Sequence, residues 1–231
     1  VLFRSREGAI EAMYGYLEDN DDAALCTCKL LNEDGTLQWN VRRFPTFVAM
    51  LHRHTFFDYF KIFYTAREHY RMLDFDYDSD GDVDQVSGAV ILVRRDVYRE
   101  VGGMDENMHF YFEETDFCYQ IVQKGYRIHY TPDATILHLG GASSDKLSSA
   151  EVQLLYFKGM MYYFRKNAGG LKTFCFVLLF KFGVLVYTIL ELIKEALKYV
   201  IYKPIGKKFK PMKIKLNFDF LVKKMLRFMI S

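Results

Sequence analysis

The sequence has few cysteines, and their spacing fits neither a disulfide framework nor a zinc site. Four occur in 231 residues, and none forms a Cys-x-x-Cys pair; they are Cys26, Cys28, Cys118 and Cys175. This excludes the small disulfide-stabilised and zinc-finger classes and favours a reducing, cytosolic environment. Residues 1–6 also lack the apolar stretch of a signal peptide.

Internal repeats are absent, and so is an initiator methionine. The chain starts at Val1, so we expect it to be part of a longer protein. Half of its residues are hydrophobic (51%) and 17% are aromatic, which excludes a disordered chain. The length of 231 residues suits one domain, or one domain with an appendage.

Positive charge is concentrated at the C-terminal end. The net charge is +2, but residues 203–231 hold nine Lys or Arg against one acid, Asp219, a local charge of +8. Residues 1–202 carry the difference, which is −6. A basic tail on an acidic body indicates contact with an anionic surface. We expect a membrane surface as that partner, and no nucleic acid.

Residues 7–35 predict a helix, a strand and a turn. Residues 7–18 carry one apolar face at helical spacing, formed by Ile10, Met13, Tyr14 and Leu17. An apolar strand follows over Ala23 to Leu31, and a turn follows at Asn32 to Gly35. Residues 36–84 are aromatic and interrupted by Pro45, so we expect loops with one or two short helices over residues 46–63.

The next stretch alternates strands and helices. Gln85 to Val93 is apolar enough for a strand buried on both faces, and Asp96 is placed to cap a short helix that ends at Gly102 and Gly103. A second helix is predicted over Glu113–Lys124, with Gly125 as its stop. Two further strands are predicted, over Tyr126–Tyr130 and Ala134–His138. This alternation predicts a layered α/β fold.

The C-terminal third predicts membrane contact. A helix is expected over Ser148–Lys166, followed by an apolar run, Thr173–Leu190, that Lys181 interrupts. A bilayer span needs about 20 residues, so this run either spans, lies in the interface or packs on the preceding domain. Residues 218–229 form an apolar stripe beside basic residues, as in a helix that binds an anionic leaflet or packs on a partner.

Three carboxylates open the predicted helix over Glu113–Lys124. Acids in a first helical turn are common, because they favour the helix dipole. At about 100° per residue, however, Glu114 projects onto the middle of the apolar face, Glu113 lies at its border and Asp116 points away. Burial of Glu114 would raise its pKa, and a general base suits that chemistry.

Four groups of residues between Val86 and Ser144 carry a resemblance to a known family. They are Ser87-Gly88-Ala89, Arg94-Arg95, Val101-Gly102-Gly103-Met104-Asp105-Glu106, and the acidic cluster preceded by His109-Phe110-Tyr111-Phe112. Their order resembles the second half of the catalytic domain of family 2 glycosyltransferases, which have the GT-A fold, and especially the rhamnosyltransferase-like members. The resemblance covers residues 7–166.

The resemblance implies specific roles for these residues. In the family's acidic motif the second acid deprotonates the acceptor hydroxyl. That position is Glu114, a Glu where the family usually has Asp, and Glu113 and Asp116 complete the motif. The acceptor site is implied to include Gly88, Ala89, Arg95, Asp105 and Glu106. His138 is implied to approach the metal–diphosphate, with the following glycines facing phosphate oxygens.

The family also implies substrates, a cofactor and a location. These are a nucleotide-sugar donor, a divalent metal (Mg or Mn), inversion at the anomeric carbon, and a saccharide or lipid-linked acceptor at the cytoplasmic face of the membrane. Rhamnose is the sugar that the resemblance suggests, in cell-surface polysaccharide synthesis. The nucleotide-binding half of the domain is expected to precede Val1.

The acidic run from Asp74 to Asp84 invites two metal hypotheses, and both fail. An EF-hand loop that began at Asp76 would place Ser87, not Glu, at its twelfth position. The Asp-x-Asp motif of glycosyltransferases should follow a buried apolar strand, and Tyr70 to Phe75 is not one. We therefore expect an exposed acidic loop, and we expect the Asp-x-Asp motif before Val1.

These observations predict three segments. Residues 1–168 form the C-terminal portion of a GT-A domain, an α/β fold with a mixed sheet; residues 169–202 form an apolar membrane-associated helix; and residues 203–231 form a basic linker with an amphipathic helix. The alternative from another class is a non-catalytic membrane-surface interaction protein that keeps only the acceptor half of the fold.

Overall fold

The computed structural model describes residues 3–53, 55–108, 110–139, 147–202 and 228–229. Two compact units are present. The first comprises residues 1–45 and 68–146, and the second comprises residues 46–67 and 147–231. The predicted basic linker, nearly all of the predicted amphipathic helix and the glycines after His138 lie outside the described residues. The three-segment division stays a prediction; its boundary at 168 falls in the short connection between two helices.

The first unit is built on a mixed six-stranded sheet. Its two long strands, β2 (Ala23–Leu31) and β8 (Arg127–His138), pair in parallel at the centre. The short strands pair antiparallel with these two. They are β1 (Phe3–Ser5), β3 (Leu37–Gln38), β5 (Gly81–Asp82) and β7 (Leu92–Val93). A separate two-stranded ribbon joins β4 (Val41–Arg42) to β6 (Gln85–Val86).

Helices cover both faces of this sheet. On one face, Met13 and Leu17 of α1 (Ala9–Asp19) belong to the same buried cluster as Cys28 of β2. On the other face, Phe117 and Ile121 of α5 (Glu113–Gln123) are buried in a cluster formed with Leu25, Ile128 and Tyr130. Side chains alternate between the two faces along each strand, so one strand feeds both clusters. This arrangement confirms the predicted layered α/β fold.

The predicted strand Gln85–Val93 is wrong as one element. It breaks into β6 and β7, which belong to different sheets, because a turn at Gly88 and Ala89 separates them. The backbone N–H of Ser87 donates to the carbonyl oxygen of Asn40 at 2.7 Å, and that of Arg94 donates to Ala24 at 2.9 Å. The two ends of the segment are therefore fixed by different partners.

Two smaller expectations also need correction. Asp96 does not cap its helix: α4 (Arg95–Glu100) has Arg94 at its N-cap, and Asp96 lies in the first turn. The two strands predicted around Pro132 form one strand, β8, with a register shift where Cys28 and Lys29 of β2 face Thr131 and Thr135. A bulge absorbs the extra residues without ending the strand.

The second unit is helical. It contains α2 (Phe47–His52), a 3₁₀ turn (Phe56–Asp58), α6 (Ser149–Asn167) and α7 (Gly170–Tyr202), while α3 covers Tyr64–Arg71. The hydroxyl of Ser148 accepts from the backbone N–H of Glu151, and the Glu151 carboxylate accepts from that of Ser148. This capping box fixes the start of α6.

The longest helix of the second unit, α7, is sufficiently long and apolar to cross a membrane, judged by length and composition alone. It contains the whole of the predicted apolar run. Fewer than half of the residues in its most apolar window are buried within the structure. The helix therefore has a large apolar surface that the described part of the chain does not cover.

Candidate active site

The first turn of α5 carries the acidic cluster. Lys124 to Tyr126 join the end of α5 directly to β8, so the helix runs antiparallel to that strand. Its first turn is therefore directed toward the carboxyl-terminal part of the parallel pair β2 and β8. In α/β sheets that edge is where ligands bind.

The residues that lead into α5 have an unusual backbone. Tyr111 (φ 68°) and Phe112 (φ 73°) are both in the left-handed region, although neither is glycine. Such a conformation costs of order 1–3 kcal/mol per residue and persists only where the surroundings enforce it. Phe112 is 3% exposed, and this burial of its side chain stabilises its left-handed backbone conformation. The pair sets the direction in which the following carboxylates leave the backbone.

Glu114 is a half-buried carboxylate with a strongly perturbed pKa. Burial first, and the charge of Glu113 second, raise its pKa to about 7, while Arg42 acts in the opposite direction. Gly88 lies beside it: a Cβ built on Gly88 would be 3.9 Å from the Cβ of Glu114. The predicted base and one predicted substrate-binding residue are thus neighbours.

Glu113 adds a second carboxyl group with an unsatisfied oxygen. Burial raises its pKa. Its Oε2 atom is buried and has no hydrogen-bond partner among the described residues. A buried, unpaired acceptor costs free energy unless a ligand supplies the donor. An acceptor hydroxyl is a group that could pair with it.

A hydrogen-bond chain fixes this helical turn to the β4–β6 ribbon. The hydroxyl of Thr115 donates to Oε1 of Gln85 at 2.5 Å, and Nε2 of Gln85 donates to the carbonyl oxygen of Arg43 at 2.6 Å. Thr115 and Gln85 are both buried. The chain ties the helix that carries Glu114 to the strand pair that carries Arg42.

Asn40 joins the same region to the central sheet. Its side-chain Nδ2 donates to the carbonyl oxygen of Cys28 at 2.9 Å. Its backbone carbonyl oxygen accepts from the backbone N–H of Ser87, the residue before Gly88. The side chain is 1% exposed, yet its Oδ1 has no partner in the part of the chain that the structure describes. Asn40 therefore positions the loop that runs beside Glu114.

Asp116 is more buried than the helical wheel predicts. The helical wheel turns it away from the apolar face, but only 2% of the residue is exposed. The four consecutive residues Thr115–Cys118 are all buried, so the fold encloses this turn of the helix on that side as well. Its carboxylate accepts a 3.5 Å hydrogen bond from Nε2 of Gln120. Its catalytic role stays a prediction.

The remaining predicted acceptor residues occupy different local environments. Ala89 is half-buried in the turn after Gly88, and Arg95 is exposed at the first residue of α4. Asp105 is half-buried, and its Oδ1 accepts from the backbone N–H and side-chain Nδ2 of Asn107. Glu106 is exposed. Of this set, the structure brings Gly88 next to the carboxylates; the roles of the other four stay predictions.

His138 ends β8, as expected, but its ring is already engaged. Its Nδ1 lies 2.6 Å from Oε1 of Gln38. The described residues contain no group of three His, Cys, Asp or Glu side chains that could hold a metal ion. Mg or Mn prefers an oxygen-rich shell, and His138 alone supplies a single nitrogen ligand, so its role at a metal stays a prediction. We therefore assign no step of the chemistry to a metal.

The acidic run is held by local turns and ion pairs. Asp76 accepts from the backbone N–H of Asp78 and from Ser79, and Asp78 pairs with Lys29. Farther along, Asp82 binds Arg127 at 3.0 Å. Asp78 has 82% of its side chain exposed and Asp82 has 48%, in agreement with the predicted exposed acidic loop.

Sequence analysis missed Arg42, Asn40 and Gln85. All three act on this region across more than 25 residues of sequence; Arg42 and Gln85 lie in strands only two residues long, and Asn40 directly precedes β4. Such strands show no periodicity, so no local pattern marks them. The arrangement as a whole can accept a proton, because the carboxylate of Glu114 has a pKa near neutrality and lies beside Gly88, which has no side chain.

Comparison with known sequences connects this geometry to a family. The profile described as "Glycosyltransferase like family 2" matches residues 7–153, which is well over half of the chain. The match covers β2, the acidic cluster and β8.

Shorter matches to curated proteins agree in kind. A "Pre-mycofactocin glycosyltransferase" of Mycobacterium tuberculosis (strain H37Rv) is 39% identical over 56 residues, 24% of this chain and 12% of that protein. An "N-acetylglucosaminyl-diphospho-decaprenol L-rhamnosyltransferase" of the same strain is 37% identical over 60 residues, 26% and 20% of the two chains. "Rhamnosyltransferase WbbL" of Escherichia coli K12 is 35% identical over 60 residues, 26% and 23%. The matched segments thus span less than a quarter of these relatives.

Proposed function

Because the chain belongs to glycosyltransferase family 2, we propose that it transfers a sugar from a nucleotide-sugar donor to an acceptor hydroxyl, with Glu114 as the general base. The observation that carries this proposal is the pKa of Glu114, raised to about 7 beside the side-chain-free Gly88. A base of that strength is half deprotonated near neutral pH and still accepts a proton readily.

The proposed step is an inverting displacement. Glu114 takes the proton of the acceptor hydroxyl while the hydroxyl oxygen bonds to the anomeric carbon. The bond from that carbon to the nucleotide diphosphate breaks, and the diphosphate leaves with the electron pair. The unpaired Oε2 of Glu113 supports a second contact with the acceptor. This oxygen is a hydrogen-bond acceptor, and the described residues offer it no donor, so a hydroxyl of the acceptor would supply one.

The names of the relatives support a proposal for the finer identity of the substrates. Two of the three are named as rhamnosyltransferases, and one name gives a diphospho-decaprenol acceptor. We propose rhamnose as the donor sugar and a saccharide or lipid-linked saccharide as the acceptor, in cell-surface polysaccharide synthesis. Family members commonly use a divalent metal, Mg or Mn. We propose the cytoplasmic face of the membrane as the location, because a lipid-linked acceptor would be held in the bilayer.

Replacing the base tests the proposal directly. Glu114→Gln keeps the size of the side chain but cannot accept the proton. We expect turnover to fall by about 10²–10⁴-fold, with thermal unfolding and donor binding unchanged. The measurement is release of nucleoside diphosphate in the presence of acceptor by the full-length enzyme. Glu18→Gln, at an exposed position of α1, is the matched control and should retain full activity. Wild-type rates in Glu114→Gln would overturn the assignment.

The second candidate function is a non-catalytic interaction protein at a membrane surface. The apolar exposed face of α7 favours it. Donor binding separates the two proposals, because a binding module of this kind needs no nucleotide sugar. Calorimetry of the full-length protein with dTDP-rhamnose would show heat of binding for a transferase and none for the alternative.

A further inference from the structure

The long helix α7 has an inverted distribution of polar and apolar residues. Its outward side is a continuous apolar face from one end to the other. The exposed residues of this outer face are Leu171, Phe174, Leu178, Phe182, Ile189, Ile193, Leu197 and Val200. They recur at steps of three, four or seven, which places them on one side of the helix. From Leu171 to Val200 the face is about 45 Å long.

The opposite side of α7 is buried and becomes polar toward the C-terminal end. Thr188, Glu191 and Glu195 are all at most 5% exposed. Tyr59 donates a hydrogen bond to Oε1 of Glu191, and its ring lies 5.5 Å from that of Tyr187. In a helix with water on its outer side, this distribution would be reversed.

Lys181, the charge that interrupts the apolar run, also lies on the buried side. It is 7% exposed, and its Nζ donates to the carbonyl oxygen of Met229 at 3.0 Å. The outer face is therefore free of this charge. Among the described residues, lysines lie beside this face near its two ends; they include Lys172 and Lys194, and Lys194 also pairs with Glu191 at 2.8 Å.

We propose that the outer face of α7 lies flat on the surface of an anionic lipid bilayer. Exposed apolar area of this extent marks an interaction surface. A helix with one apolar face and flanking lysines binds at the boundary between head groups and acyl chains. The lysines and the basic segment 203–231 complement the charge of anionic lipids. This inference deepens the proposed membrane location but does not depend on sugar transfer.

The contacts of α7 favour this orientation over a span. Its buried side packs on Phe164 at Phe176, on Phe157 at Phe180, and on Tyr59 at Tyr187. These contacts cover the part of the helix from Phe176 to Tyr187, so a span through this part would take the neighbouring elements of this unit into the hydrocarbon. Those elements carry exposed charges, which are costly there. They include Asp58, Lys158, Arg165 and Lys166.

Close packing at Gly183 holds the buried side of α7 against the neighbouring 3₁₀ turn. A Cβ built on Gly183 would lie 2.9 Å from the Cβ of Thr55, which is fully buried. The helix and the 3₁₀ turn are therefore in intimate contact at this point. A membrane-bound state that keeps this packing presents the outer face alone to lipid.

Vesicle sedimentation tests the surface. Full-length protein should bind vesicles of phosphatidylcholine with phosphatidylglycerol and bind much less to phosphatidylcholine alone. The double variant Leu178→Gln/Ile193→Gln should weaken binding by about tenfold or more, because two apolar side chains no longer enter the interface. Ile10→Gln is the matched control: Ile10 is 55% exposed on α1, Ile193 is 52% exposed, and the control should bind like wild type.

Probe depth tests the orientation. Cys175 is exposed, whereas the other three cysteines are buried, so a fluorescent thiol label on the folded protein reports α7. In a Cys175→Ser background, Ile189→Cys and Leu197→Cys provide a central and a distal position. For a helix lying flat, lipid-borne quenchers should place all three labels at the same shallow depth.

Three results would overturn the proposal. A label at residue 189 that lies near the bilayer centre, with shallow labels at 175 and 197, would show a span. Equal binding of wild type and the double variant would show that the outer face is not the surface. Equal binding to neutral and anionic vesicles would remove the anionic preference. None of these measurements uses the transfer reaction, so a failure here leaves the role of Glu114 standing.

Discussion

At the scale of single residues, the proposed role of Glu114 predicts that catalysis depends on pH. Its pKa is raised to about 7 because burial and the charge of Glu113 disfavour the carboxylate. A general base works only when deprotonated, so kcat/KM should be low in acid, rise through pH of about 7, and level off above it. Initial rates of diphosphate release across this range give the midpoint. A flat profile would contradict the assignment.

The neighbouring carboxylate provides an internal check of that profile. Glu113→Gln removes a negative charge that raises the pKa of Glu114. The midpoint of the pH profile should therefore move to lower pH, while the shape of the curve stays the same. A midpoint that does not move would mean that another group controls the rate. Loss of the Oε2 contact should also raise KM for the acceptor.

Thr115 should act as a positioning residue. Thr115→Val keeps the shape but removes the donor to Gln85, which leaves a buried acceptor unpaired at a cost of about 1–3 kcal/mol. We expect a lower melting temperature and a reduced kcat, since the first turn of α5 loses its link to the β4–β6 ribbon. Thr115→Ser retains the hydroxyl and should restore both. An unaffected kcat in the valine variant would limit Thr115 to a structural role.

The orientation of Glu114 was predictable because it depends on helical periodicity alone. The wheel placed it on the apolar face, and the structure half-buries it. The counter-charge of Arg42 was not predictable in the same way. It comes from a two-residue strand whose position is set by pairing with Gln85 and Val86, far along the chain.

At the scale of elements, Gly183 determines how closely α7 packs on Thr55. Gly183→Ala should gain about 1 kcal/mol of helix propensity. The new Cβ would meet Thr55 at 2.9 Å, however, and Thr55 is fully buried and bonded to the carbonyl oxygen of Leu51, so it cannot move aside. Overpacking of this kind costs about 1–3 kcal/mol.

The net effect of Gly183→Ala should therefore be a lower melting temperature. Gly15→Ala is the matched control, because a Cβ at Gly15 of α1 meets nothing within 4 Å. That variant should raise the melting temperature through propensity alone. Stabilisation by both substitutions would show that α7 packs less closely on the 3₁₀ turn than the structure indicates.

Elements with strong local signals were predicted well, and those that depend on distant pairing were not. The strand β2 has its predicted bounds, and α5 ends one residue early. The segment Gln85–Val93 looked like one buried strand because its composition is apolar. Its division at Gly88 results from hydrogen bonds to Asn40 and Ala24. These partners are distant in sequence, so the pattern of residues within the segment does not predict them.

At the scale of the whole molecule, the distribution of charge and apolar surface agrees with the proposal of a membrane-bound enzyme. The sequence separates a basic C-terminal segment from an acidic remainder, and the structure adds the outer face of α7. The family match covers the unit that carries Glu114. For a transferase whose acceptor is a lipid-linked saccharide, binding to the membrane would raise the local concentration of both reactants.

This combination predicts that lipid binding and chemistry can be separated by substitution. The double variant Leu178→Gln/Ile193→Gln should transfer sugar to a soluble saccharide acceptor at the wild-type rate, since it leaves the carboxylate cluster untouched. Transfer to a lipid-linked acceptor in anionic vesicles should fall about tenfold, in parallel with the loss of vesicle binding. Added salt should weaken the vesicle reaction of the wild type, because it screens the lysines, and leave the soluble reaction unchanged. An equal loss with both acceptors would instead mean that α7 supports the fold of the enzyme rather than its place at the membrane.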